Sequence, residues 1–316
     1  MKKLITGSWF EFRHSGAAEG KYWNDTIHNF TEEQWRAKVR EMHEIGMKYI
    51  VLMSTALEYK TYYPSKILKD RWDTACAEPV EVLLDECDKL GMKVFVSNGF
   101  YDNWHETINN MTDPRVQKLT LAGMNELAEQ FGHHKSFYGW YYPDESWIRG
   151  NISKEFLDYV NLCSAEAHKL GNHFKTLIAP YGTRDVIEND DYVRSLEAMD
   201  IDFVAYQDEI GVQKTQLCES EGFYAALKRM HDKAGRGRLW ADVEVFEFKE
   251  GPVYQSALLP APIERIKAQL DAVAPYVDEI LIYQYMGLMS KPGSIAFAGH
   301  ESAAQLYNDY VKYTKE

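Results

Sequence analysis

One pattern of apolar and polar positions recurs along the chain. A stretch with apolar residues every three to four positions ends at a glycine, and a short, almost unbroken apolar run follows. Three copies are plain: Glu44-Ile45-Gly46-Met47-Lys48-Tyr49-Ile50-Val51-Leu52, Lys89-Leu90-Gly91-Met92-Lys93-Val94-Phe95-Val96, and Lys169-Leu170-Gly171 leading into Phe174-Lys175-Thr176-Leu177-Ile178. The first part has the period of an amphipathic helix, and each glycine can take the left-handed conformation that stops one. The apolar run is what a strand buried on both faces requires.

Extended along the chain, the pattern predicts strands near 4–10, 48–54, 92–98, 137–142, 174–180, 202–207, 238–245 and 278–284. Helices are expected near 32–45, 79–90, 114–131, 154–170, 187–198, 215–234, 262–274 and 301–313. Thr31 with Gln34 forms a capping box, Phe30 and Trp35 have the spacing of a hydrophobic staple, Asp113-Pro114 supplies an N-cap and first-turn proline, and Ser153 opens the fourth helix. Strict alternation of strand and helix predicts an α/β fold, a closed (β/α)8 TIM barrel forming one domain over residues 1–316. An open, doubly wound sheet is the alternative, but no Gly-x-Gly-x-x-Gly follows the first strand.

Composition narrows the partners. With 45% hydrophobic and 26% charged residues the chain can bury a full core, and no apolar stretch is long enough for a membrane span. A net charge of −13 disfavours nucleic acid and anionic membranes, which call for clustered Lys and Arg. Cys76, Cys87, Cys163 and Cys218 make no C-x-x-C pair and are expected as buried or partly exposed free thiols. The basic start, Met1-Lys2-Lys3, is interrupted before a signal-peptide core forms. The expected location is therefore cytoplasmic, or periplasmic or secreted if a leader has been removed.

In such a barrel the carboxyl ends of the strands ring one pocket, so polar residues there are the candidates for chemistry. Strand four ends in Tyr142, Pro143, Asp144 and Glu145. Strand seven carries Asp242 and Glu244 on one face by alternation, with Ala241, Val243 and Val245 on the other. Strand six ends in Tyr206, Gln207, Asp208 and Glu209. Strand eight offers Tyr283, Gln284 and Tyr285, strand one Trp9, Glu11, Arg13 and His14, strand three Asn98, and the loop after strand five Tyr181.

Two carboxyls facing each other across a pocket lined by Trp and Tyr are what glycosidic cleavage needs: one protonates the leaving oxygen, the other attacks or stabilises the anomeric centre. Glu145 and Glu244 are the expected catalytic pair. Trp9, Glu11, Asn98, Tyr142, Asp144, Tyr181, Tyr206, Gln207, Asp208, Asp242, Tyr283 and Tyr285 are the expected substrate-binding residues. Glu145, Asp208, Glu244 and Tyr283 are expected to open onto one cavity.

The segments Trp140-Tyr141-Tyr142-Pro143-Asp144-Glu145 and Trp240-Ala241-Asp242-Val243-Glu244-Val245-Phe246 resemble the strand-four acid/base and strand-seven nucleophile of the retaining glycoside hydrolase barrels of clan A. With Tyr62-Tyr63-Pro64-Ser65 and Tyr206-Gln207-Asp208-Glu209-Ile210-Gly211, the chain is also similar to a family of uncharacterised bacterial glycoside-hydrolase-like barrels. The resemblance implies Glu145 as acid/base and Glu244 as nucleophile. It departs from the clan at Asp144, where Asn is usual, and in lacking an evident Arg at the end of strand two. Asp144 could then raise the pKa of Glu145 or bind a sugar hydroxyl itself.

The expected partner is a carbohydrate, with no metal and no cofactor. The histidines lie scattered without ligand spacing, and His133-His134 is read as a helix-end cap. Two alternatives stay open. One is a metal-dependent sugar isomerase or epimerase, with the acids of strands four, six and seven as ligands; the other is a non-catalytic carbohydrate-binding barrel.

Overall fold

A computed structural model of the protein describes residues 2–251 and 256–316. Eight parallel strands close into a barrel in chain order: β1 (Gly7–Phe10), β2 (Tyr49–Leu52), β3 (Lys93–Ser97), β4 (Phe137–Tyr141), β5 (Lys175–Ile178), β6 (Phe203–Gln207), β7 (Arg238–Glu244) and β8 (Ile280–Tyr283). The β1–β8 pairing, with Gly7 beside Leu281 and Ser8 beside Ile282, closes the ring and rules out the open sheet. Around it lie α1 (Glu32–Glu44), α2 (Pro79–Leu90), α3 (Pro114–Phe131), α4 (Lys154–Leu170), α5 (Asp190–Ala198), α6 (Leu217–Ala234), α7 (Ile263–Val273) and α8 (Ser302–Thr314). Among the described residues no helix is long and apolar enough to cross a membrane.

The local signals act as their chemistry demands. The Thr31 side chain accepts from the Gln34 amide while Gln34 Oε1 accepts from the Thr31 N–H at 2.9 Å, so two first-turn donors of α1 are satisfied together. Phe30 packs on Trp35 with ring centroids 5.0 Å apart, which fixes the angle at which the chain enters the helix. Burying a ring such as Trp35 is worth about 2–3 kcal/mol, more than the cap contributes. Gly46 and Gly91, at φ of 95° and 67°, end their helices as expected. Gly171 ends its helix without the left-handed turn: its backbone is extended at φ 172°. It is small for another reason, because a Cβ there would lie 2.7 Å from the His173 ring.

Alternation divides the side chains into two cores. Trp9, Val51, Phe95, Tyr141, Leu177, Phe203, Ala205, Trp240 and Leu281 fill the inside of the barrel. Neighbouring strand positions such as Ile50, Val94, Trp140, Tyr206 and Val243 pack outward with the helices. This parity decides which polar residue at each strand end reaches the mouth.

Candidate active site

The mouth of the barrel holds a cavity of about 750 Å³, lined by Glu145, Gln207, Asp242, Glu244 and Tyr283 from the strand ends and by loop residues including His14, Trp104 and Phe246. A smaller lobe of about 150 Å³ adjoins it, sharing Glu145, Met53, Trp104 and Tyr283, and reaches Glu11, Arg13 and Tyr181.

Glu145 follows β4 and is held by two donors: Tyr141 O–H to Oε1 at 3.1 Å and Gln207 Nε2–H to Oε2 at 2.8 Å. Burial raises its pKa to about 7 against the pull of those donors, with a smaller upward push from Asp144 and Glu209. Glu244 closes β7, where its Oε2 accepts from the Val212 N–H at 2.8 Å. That contact requires the loop after β6 to pass close by, and Gly211 allows it, since a Cβ there would lie 2.9 Å from Glu244 Cβ. Burial, then the neighbouring Asp208, holds Glu244 well above the usual carboxylate range. Asp242 is also raised, by burial and by the charges of Glu244, Asp208 and Glu145, and its Oδ1 has no hydrogen-bond partner. Burial and mutual repulsion therefore disfavour ionising these acids together.

The β1 side of the mouth is arranged differently. Glu11 accepts from Trp23 Nε1 at 2.8 Å, Gln284 Nε2 at 2.7 Å and His14 Nδ1 at 3.1 Å. His14 also meets Glu19 through Nε2 at 3.1 Å, and carboxylates at both ring nitrogens are a demand only the imidazolium meets. Burial opposes the charge, but Glu11 and Glu19 together lift the His14 pKa to about 10. Burial likewise opposes ionisation of Glu11, and the His14 charge with its three donors outweighs it, holding the carboxyl below its ordinary value.

Several residues expected at the substrate face elsewhere, and strand parity gives the reason. In β6, Ala205 and Gln207 face in, so Tyr206 faces out, where its hydroxyl meets Tyr192 and His231. In β4, Tyr141 faces in and Tyr142 reaches Ser164 of α4. Asn98 points to Tyr159 and Cys163 of α4. Tyr285 reaches Glu41 of α1.

Asp208 is buried behind the cavity, not in it. Its carboxylate accepts from the Glu244 and Ile210 N–H groups and from Gln269 Nε2, and burial raises its pKa to about 6. It shapes the backbone that carries Glu244. Asp144 turns away from the cavity to Asn110 at 2.9 Å and Tyr159 at 3.4 Å, and burial raises it to about 7. It lines neither the cavity nor its lobe, and its effect on Glu145 is smaller than that of burial. Trp9 lies one layer down in the barrel, its ring edge-on to Tyr141 at 5.9 Å. The Tyr62-Tyr63-Pro64-Ser65 stretch is structural: Tyr63 bonds Tyr101 at 2.7 Å and Ser65 bonds Glu126 at 2.6 Å.

Glu11, Tyr181, Gln207, Asp242 and Tyr283 do line the cavity or its lobe. Met53, Val212, Phe246, Phe248 and Leu258 line it too, and nothing in their local sequence separates them from core residues. His134 does close the end of α3, but through its backbone N–H, which donates to the Phe131 carbonyl at 3.0 Å, while its ring sits between Asp88 at 2.8 Å and Glu81 at 3.2 Å. Among the described residues, the group with three metal-type donors within 4.8 Å is Glu81, His133 and His134, and the strand-end acids form no such set.

The sequence model of a family described as a domain of unknown function, DUF4434, matches residues 5–296. No curated protein matches the chain. Among solved structures, a candidate alpha-L-fucosidase from Bacteroides thetaiotaomicron VPI-5482 is similar with a TM-score of 0.80 and 20% identity, over 99% of this chain and 94% of that one. A beta-galactosidase from Rahnella sp. R3 has a TM-score of 0.61 at 12% identity, over 100% of this chain and 56% of its own. A beta-galactosidase from the psychrophilic Marinomonas ef1 has 0.59 at 11%, over 99% and 60%. The chain thus spans little more than half of each beta-galactosidase. At these identities the likeness shows a shared fold.

Proposed function

Starting from a chain that belongs to the DUF4434 family, we propose that it is a retaining glycoside hydrolase with Glu145 as acid/base and Glu244 as nucleophile. One observation carries the reading: both carboxyls line a single cavity, and Glu145 is held near pH 7, where a carboxyl can both give and take a proton.

In the first step the protonated Glu145 donates to the glycosidic oxygen while a Glu244 oxygen bonds to the anomeric carbon and the aglycone leaves. In the second, Glu145, now ionised, takes a proton from water, whose oxygen displaces Glu244 and restores the free carboxylate. Attack needs the ionised Glu244, which the Val212 N–H favours against the burial and the Asp208 charge that oppose it, and the Gln207 and Tyr141 donors fix the orientation of Glu145. Asp242 and Gln207 are suited to sugar hydroxyls, and the rings of Tyr283, Trp104 and Tyr181 to sugar C–H faces. Such chemistry requires the two carboxyls about 5 to 5.5 Å apart, too close for an intervening water.

The test is the configuration of the first-formed product. A panel of aryl glycosides identifies a turned-over sugar, and proton NMR during the first minutes reads its anomer. Retained configuration supports double displacement; inverted configuration would remove Glu244 as a nucleophile.

A further inference from the structure

The small lobe beside Glu145 has three charged residues in its lining, Glu11, Arg13 and Glu145. Glu11 is matched by His14 and two further donors. Glu145 is half protonated near pH 7 and accepts from Tyr141 and Gln207. Arg13 alone is unmatched: its guanidinium lies over the Trp72 ring at 5.0 Å, its Nε is buried without a hydrogen-bond partner, and no carboxylate comes within ion-pair distance among the described residues. Arg13 is half-buried, and in a protein with a net charge of −13 its guanidinium still has no acid at that distance. The same lining offers hydroxyls from Ser15, Ser54, Thr107, Tyr181 and Tyr283. A planar fork of donors beside an aromatic ring and among hydroxyls suits a planar or tetrahedral oxyanion.

We propose that the lobe binds the anionic group of an acidic sugar, a carboxylate or a sulfate ester, through Arg13. The inference rests on the cavity being a sugar site and names the substrate class for it. The contact with Trp72, itself stacked on Tyr62 at 5.9 Å, restricts the Arg13 side chain and reduces the freedom lost when the anion binds. The anion fills the role that a partner carboxylate would otherwise have, and a neutral sugar leaves Arg13 without one.

Calorimetry with D-glucuronate, D-galacturonate, their methyl esters and glucose 6-sulfate tests this directly, alongside hydrolysis of both anomers of the matched aryl uronides and hexosides. At least one acid should bind the wild-type protein about 10-fold or more tightly than its neutral counterpart, as a charge-assisted contact to a guanidinium allows. Preference for the uronates over glucose 6-sulfate identifies a carboxylate; the reverse identifies a sulfate. Arg13→Gln should erase the acid-over-ester preference, and Arg13→Lys should keep part of it. If Arg13→Gln does not fold, the wild-type comparison and Arg13→Lys still decide. Equal binding of acids and neutral sugars, or no binding of any acid, overturns the proposal. Hydrolysis of neutral hexosides with no acid preference would overturn it while leaving the glycosidase reading intact. Arg13-dependent binding of acids with no hydrolysis of any glycoside would do the opposite.

Discussion

The two sides of the barrel mouth bury carboxyls in opposite ways. On the β1 side, Glu11 is fully matched: His14, Trp23 and Gln284 donate to it, and its charge is fixed. On the β4–β7 side no cation answers the acids: Glu145 has two neutral donors, Glu244 Oε2 has the Val212 N–H and Asp242 Oδ1 has none, and burial leaves all three reluctant to ionise. A matched acid is a structural element with one charge state. An undermatched acid can change its charge during a reaction, and the cost of keeping it there falls on stability. The difference separates framework from chemistry within one cavity.

The comparison breaks most sharply if Glu244 proves dispensable. We expect Glu244→Ala to lose on the order of 10⁴-fold or more in kcat on any glycoside the protein hydrolyses, including dinitrophenyl glycosides, with turnover restored by azide and an inverted glycosyl azide as product. Glu145→Ala should lose about 10²- to 10⁴-fold on substrates with poor leaving groups but far less on activated ones, and its azide product should keep configuration. In the wild type, kcat/KM should fall as pH rises through about 7, where Glu145 loses its proton. Swapped azide products would exchange the two roles.

On the matched side the expected effect is on stability. Glu11→Gln leaves the buried His14 cation with Glu19 alone, and breaking a buried pair in this way costs about 3–5 kcal/mol, read as a shift of the urea midpoint. The His14 pKa is raised from its unfolded value near 6.5 to about 10, so the pair's contribution is complete below about 6.5 and is lost as pH rises through about 10. The wild-type advantage over Glu11→Gln should therefore shrink between those values. A constant difference across that window would show that the His14 charge is not what Glu11 supports.

Asp242→Asn should act the other way, adding about 0.5–2 kcal/mol at pH 7.5 while impairing activity, because it removes an acid that resists ionisation in the fold. The folded pKa of Asp242 lies above the unfolded value near 4, so wild-type stability falls as pH rises from that value, and the gain from Asn should vanish near pH 4. A gain independent of pH would trace to packing instead. The smallest effect expected is none: EDTA should leave kcat unchanged. Loss of activity restored by Mg²⁺ or Mn²⁺ would favour a metal-dependent isomerase.

The barrel was legible because strand and helix periods differ and recur. The capping box at Thr31, the Pro114 start and the apolar runs after Gly46 and Gly91 each act within a few residues, where sequence carries the full signal. The site was legible where parity was applied: alternation through Trp240, Asp242 and Glu244 turns both acids of β7 inward. The same rule, run through Tyr141 and Gln207, would have turned Tyr142 and Tyr206 outward; nearness to a strand end does not by itself give access to the mouth. Asp208 and Asp144 were not legible, because their partners Gln269 and Asn110 come from elements distant in the chain. The apolar wall of Phe246, Phe248 and Leu258 reads in sequence like any core cluster.

The central claim is that a Glu244 oxygen becomes covalently bonded to sugar. With a turned-over glycoside identified, its 2-deoxy-2-fluoro analogue carrying a dinitrophenolate leaving group slows the second step more than the first and lets the intermediate accumulate. Peptide mass spectrometry then locates the adduct. The account predicts one fluoroglycosyl group per chain, on the peptide containing Glu244, and none in Glu244→Gln. An adduct on another carboxyl, or release of dinitrophenolate at the normal rate with no adduct anywhere, would contradict it.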